Sequence, residues 1–94
     1  MNGQLLQMDK KYSALKQKQK EKIGQWMYDE TLVFYNENHK MPMGHRSDDI
    51  VDKVYTRITD EQIWIPYNEI YKQYNKRKTK IINKINKRLS DQQE

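Results

Sequence analysis

Between Pro66 and Ser90 the apolar residues Tyr67, Ile70, Tyr71, Tyr74, Ile81, Ile85 and Leu89 recur with helical spacing. At about 100° per residue they fall within about a third of a helix circumference. Opposite them lie Lys72, Lys76, Thr79, Lys80, Asn83 and Lys87, with Asn75 and Asn86 at the edge. The pattern predicts a long amphipathic helix starting at Pro66, because proline lacks the amide that the first helical position leaves unused. Arg77 and Lys78 interrupt the apolar arc, so the packed part is expected to end near Tyr74 or Lys76. Residues 79–90 are then expected to project, or to bend and repack through Ile81, Ile82 and Ile85.

Upstream, Leu5, Met8, Tyr12, Leu15, Gln19, Lys22 and Trp26 follow a 3-4-3-4 spacing, the seam of a coiled coil with a polar break at Gln19 and Lys22. Past Gly24 the pattern becomes two-sided. Ile23, Trp26, Met27, Val33 and Phe34 face one way, and Tyr28, Leu32 and Tyr35 the other. A helix apolar on two sides is buried between neighbours. Residues 22–37 are therefore expected to form a core helix, and 5–21 a helical extension that needs a partner or frays. Asn38, Pro42 and Gly44 mark a loop over 38–46. Ser47 then reads as an N-cap with Asp48 and Asp49 in the first turn. The stripe Ile50, Val51, Val54, Tyr55 and Ile58 gives a second helix over 48–58. Thr59 and Gln62 have capping-box spacing, which suggests a helical turn at 60–63 before the apolar run Ile63–Trp64–Ile65.

The fold expected is all-α: a small three-helix domain over 22–94 with a long N-terminal helix whose first part, 1–21, is the extension. Helices two and three are expected to pair in a helix-turn-helix-like manner. The expected core joins Ile50, Val54, Tyr55, Ile58, Trp64, Ile70, Tyr71 and Tyr74 to Trp26, Met27 and Phe34. An exposed Trp64 would instead supply a protein-binding hot spot.

Charge sharpens this picture. The 94 residues carry a net +5, unevenly distributed. Residues 1–28 hold six Lys against two acids, residues 29–69 four basic against nine acidic, and residues 70–94 eight basic against two acidic. Such segregation fits basic surfaces for a polyanion, or basic ends paired with the acidic middle. No apolar run approaches a membrane span and no signal-peptide core is visible, so the expected location is the cytoplasm, with no membrane partner. The absence of cysteine excludes disulfides and thiol chemistry.

The chemistry-bearing residues point to binding rather than catalysis. In a helix-turn-helix the second helix enters the major groove and its first turns touch base edges. Here Asn68, Glu69, Lys72, Gln73 and Lys76 hold those positions. Asn and Gln can bridge adenine, and Lys can reach guanine. With Arg77, Lys80, Lys84 and Lys87 they make Asn68, Lys72, Gln73, Lys76, Arg77, Lys80, Lys84 and Lys87 the expected nucleic-acid-binding set, for DNA or RNA. An ordinary bundle with a polar outer face accounts for the same pattern. Lys10, Lys11, Lys16, Lys18, Lys20 and Lys22 form a second cluster, but alternating Gln and Lys wind around a helix rather than line one face. His39, His45, Asp48 and Asp49 match no metal-ligand spacing, and no nucleophile is placed beside a base. No enzyme activity, metal or cofactor is expected. The rival reading is a helical interaction module that pairs through the 5–26 seam, as a homodimer or with a helical partner.

Overall fold

A computed structural model describes residues 11–42 and 46–92. Among them the chain forms three α-helices, which we label α1 (Gln17–Asn38), α2 (Arg46–Asp60) and α3 (Tyr67–Gln92), preceded by a 3-10 turn at Tyr12–Ala14. The domain is all-α, as the hydrophobic periodicity predicts.

α1 starts later than the seam suggests. Leu15 and Lys16 are extended (ψ 154° and 152°), and the Lys16 amide donates to Gln19 Oε1 at 3.1 Å. The chain upstream folds back instead of continuing a helix, so the expected extension is not helical over 15–16. Residues 1–10, including the start of the seam at Leu5 and Met8, lie outside the described residues. Folding back buries Tyr12 and Leu15 in the core, where a projecting helix would leave them in water. The Tyr12 amide donates to Glu69 Oε1 at 3.0 Å, and its hydroxyl reaches the Lys20 carbonyl at 3.3 Å. α1 ends at His39, which is left-handed (φ 58°), a conformation that stops a helix.

α2 presents Ile50, Val51, Val54 and Ile58 inward as one stripe, all buried. Ser47 is not the cap. The helix already includes Arg46, and Ser47 is buried with its hydroxyl accepting from Lys78 Nζ at 2.7 Å. The expected capping box at Thr59 does not form either. Thr59 Oγ1 donates back to the Tyr55 carbonyl, and α2 runs on to Asp60. It closes on left-handed Gln62 (φ 59°), whose amide donates to the Thr59 carbonyl while the Ile63 amide donates to the Ile58 carbonyl. These two bonds are a Schellman closure, and they satisfy carbonyls that the helix end would leave open.

The pairs Lys22–Glu61 (2.8 Å) and Glu30–Arg57 (2.6 Å) show that α2 runs antiparallel to α1. Tyr67 Oη donates to Asp52 Oδ1 at 2.6 Å, and together with Lys78–Ser47 this sets α3 antiparallel to α2. Burial, with the Asp52 carboxylate, raises the Tyr67 phenol well above its usual range, so it stays a donor. α1 and α3 meet where Thr31 lies 2.8 Å from the Tyr74 hydroxyl. The single Thr31 hydroxyl proton goes to the Met27 carbonyl at 2.7 Å, so Tyr74 is the donor of that buried bond.

Two expectations about the core need correction. Trp64 stands 49% exposed while Ile63 and Ile65 are buried. The segment is extended, so alternate side chains face opposite ways, and the Tyr55 hydroxyl fixes this register by donating to the Ile65 carbonyl at 2.7 Å. The packed part of α3 does not end near Lys76, because Ile81 and Ile85 belong to the core. Lys78 reaches over to Ser47, and Arg77 lies 5.5 Å above the Tyr12 ring. Both long side chains use apolar stems to extend the packed face rather than break it.

Candidate nucleic-acid interface

Burial of Ile70, Tyr74, Ile81 and Ile85 fixes the rotation of α3, and therefore which of its residues face solvent. Asn68, Lys72, Lys76, Lys80, Lys84 and Lys87 are exposed, as are Asn75, Thr79, Asn83 and Asn86. Gln73 and Arg77 are half-buried. Near the start of the helix, Glu69 is engaged by the Tyr12 amide, and its other oxygen lies 3.9 Å from Lys72 Nζ. Of the residues expected at base edges, those left exposed at that end are Asn68, Lys72 and Lys76.

The cations have an order that periodicity alone does not display. Lys72, Lys76, Lys80, Lys84 and Arg88 stand strictly four residues apart. Successive members rise about 6 Å along the axis and advance about 40° around it. The row therefore starts on the outer face of α3 and winds toward α1. Like charges at this spacing disfavour a helix by about 0.2–0.5 kcal/mol per pair. No carboxylate of α3 lies between Glu69 and Asp91 to offset them.

At its far end the row meets α1. Lys84 Nζ lies 5.3 Å from the Tyr28 ring centroid, and Arg88 Nη1 is 3.5 Å from the Tyr28 hydroxyl. Gly24, Tyr28, Arg77, Lys80, Ile81 and Lys84 line a groove of about 150 Å³ between the two helices. Arg88 and Tyr28 are absent from the residues that sequence reasoning selects. Reading the four-residue row one step past Lys84 finds Arg88. Tyr28 requires knowing which side of α1 faces α3.

The second cluster is dispersed. Lys11, Lys16 and Lys18 are exposed, Lys20 is half-buried, and Lys22 is paired to Glu61; Lys10 is outside the described residues. Between α1 and α2, Glu37, Asp49 and Asp52 share a cleft of about 470 Å³ with Phe34, Asn38, Arg46 and Lys53. The six-residue connection 61–66 between α2 and α3 is longer than a compact helix-turn-helix turn. Among the described residues, no three of His, Asp and Glu are grouped to hold a metal ion, and no helix is long and apolar enough to cross a membrane. His45, half of the histidine pair, lies outside the described residues. No protein-family model, curated protein or solved structure matches the chain.

Proposed function

We propose that this chain is a nucleic-acid-binding module that holds a phosphate backbone, of DNA or RNA, along α3. The observation that carries this reading is the row Lys72, Lys76, Lys80, Lys84 and Arg88, flanked by exposed Lys87, which winds along α3 with no carboxylate of that helix between Glu69 and Asp91. A phosphate chain supplies the periodic negative charge that such a row lacks. Exposed Asn68, Asn75, Asn83 and Asn86 add amide donors and acceptors along the same helix. Phosphate contacts supply affinity, and Asn68, Lys72 and Lys76 supply whatever base contact the module makes.

The test is fluorescence anisotropy with labelled duplex, labelled single strand and heparin across a salt series. Contact with six phosphates lowers affinity for duplex roughly a thousandfold between 50 and 200 mM salt. Equal binding to heparin and nucleic acid reduces the function to polyanion affinity, and no binding at low salt refutes it.

One observation favours a second reading. Trp64, half exposed on the connection between α2 and α3, is the kind of side chain that anchors a protein interface. In that reading the module binds a helical partner or its own copy. The seam gives little support, since the chain is not helical at Leu15 and Lys16. Size-exclusion mass of the chain and of Trp64→Ala separates the two readings.

A further inference from the structure

We propose that the groove between α1 and α3 is a built site for a phosphate group, the point at which the basic row of α3 ends on Tyr28. The inference rests on the nucleic-acid reading for its ligand but on separate observations for its place. Arg77, Lys80 and Lys84 line the groove, and Arg88 Nη1 lies 3.5 Å from the hydroxyl of Tyr28, another lining residue. None of the three ion pairs among the described residues involves any of these four cations. The α1 carboxylates on either side of Gly24 are turned along their own helix. Gln17 Nε2 donates to Glu21 at 3.3 Å, and Gln25 Nε2 donates to Asp29 at 2.9 Å. Three cations thus line the groove and a fourth stands beside Tyr28, and among the described residues no carboxylate pairs with any of them.

Gly24 makes the space. A Cβ at this position would lie 3.1 Å from Arg77 Nη1, so any side chain there would press on the guanidinium. Glycine in mid-helix weakens a helix, and here its bareness gives Arg77 room against α1. Tyr28 holds the opposite wall. Its ring is the resting place of the Lys84 ammonium at 5.3 Å, and its hydroxyl takes a long contact of 3.5 Å from Arg88. These are weak holds that a phosphate oxygen outcompetes, because hydrogen bonds between charged partners are shorter and stronger. Phosphate oxygens would then accept from Lys84, Arg88 and the Tyr28 hydroxyl. The chemistry fits a phosphodiester of a nucleic acid or a free polyphosphate alike.

Amide NMR spectra of the full chain, titrated with inorganic tripolyphosphate at low salt, test the site. Saturable shifts are expected at Gly24, Tyr28 and Lys84. Lys84→Gln and Arg88→Gln should each weaken binding about tenfold, the loss of one charge-assisted hydrogen bond. Tyr28→Phe keeps the ring and should also weaken it, while Lys40→Ala should not. Melting curves establish that each variant is folded. Shifts confined to Lys72 and Lys76, or wild-type affinity in both Gln variants, overturn the site.

A second arm uses a labelled oligonucleotide. If it binds both Gln variants as tightly as wild type, the nucleic-acid reading survives and the groove does not. If tripolyphosphate saturates the groove while no oligonucleotide binds, the site stands, its ligand is free polyphosphate, and the nucleic-acid reading falls.

Discussion

Trp64 is the largest apolar side chain left half in water, and it stands between two buried isoleucines. In an apolar run of three, nothing local tells which residue turns outward. The Tyr55 hydroxyl, bonded to the Ile65 carbonyl, sets the register. The energetic consequence is a contrast between neighbours. Ile65→Ala opens a cavity and should cost about 2–5 kcal/mol, whereas Trp64→Ala should cost less than about 1 kcal/mol. Urea unfolding of the two variants checks this, and a Trp64 cost as large as that of Ile65 would place the indole in the core. Arg77 and Lys78 teach a related lesson. Their charges read as an end to the apolar stripe, yet one covers Tyr12 and the other reaches Ser47.

At the scale of elements, the helices are held chiefly by the stripe of α2 packed between α1 and α3. Val54 and Ile70 are fully buried. Replacing either by Ala should cost about 2–4 kcal/mol by loss of burial and an incompletely collapsed cavity, a large part of what a domain this small has. Thermal melts measure it, and shifts of only a degree or two would show the helix phases to be wrong. Helix existence, and the rotation of α2 and α3, were legible because the 3.6-residue period is a local property. On α1, Val33 was expected to face inward with Met27 but is 40% exposed, while Glu30 and Thr31 are buried. Helix ends were less so. α2 runs past its expected end at Ile58 to Asp60 because Gln62 adopts a left-handed conformation that its residue type does not announce.

At the scale of the whole molecule, the basic residues of the last segment run along α3, while three acids of the middle segment, Glu37, Asp49 and Asp52, share the α1–α2 cleft with Arg46 and Lys53. The fate of the end of α3 changes most between sequence and structure. Since Ile81 and Ile85 are core residues, removing residues 79–94 should not leave the rest intact. The truncated chain should melt far below the full one or fail to fold, as followed by circular dichroism. Unchanged melting would show that the second half of α3 does project after all.

By itself the sequence determined the all-α class, the three helices with the inward faces of α2 and α3, and the exposed lysines of α3. Each follows from periodicity within one element and the cost of burying charge. Tertiary structure alone decided that the chain before α1 folds back onto α3, that Trp64 faces out, and that Arg77, Lys84 and Arg88 gather about Gly24 and Tyr28. Those outcomes depend on which surface of another element lies within reach. A long cation with an apolar stem reads the same in sequence whether it extends into water, covers a ring or lines a groove.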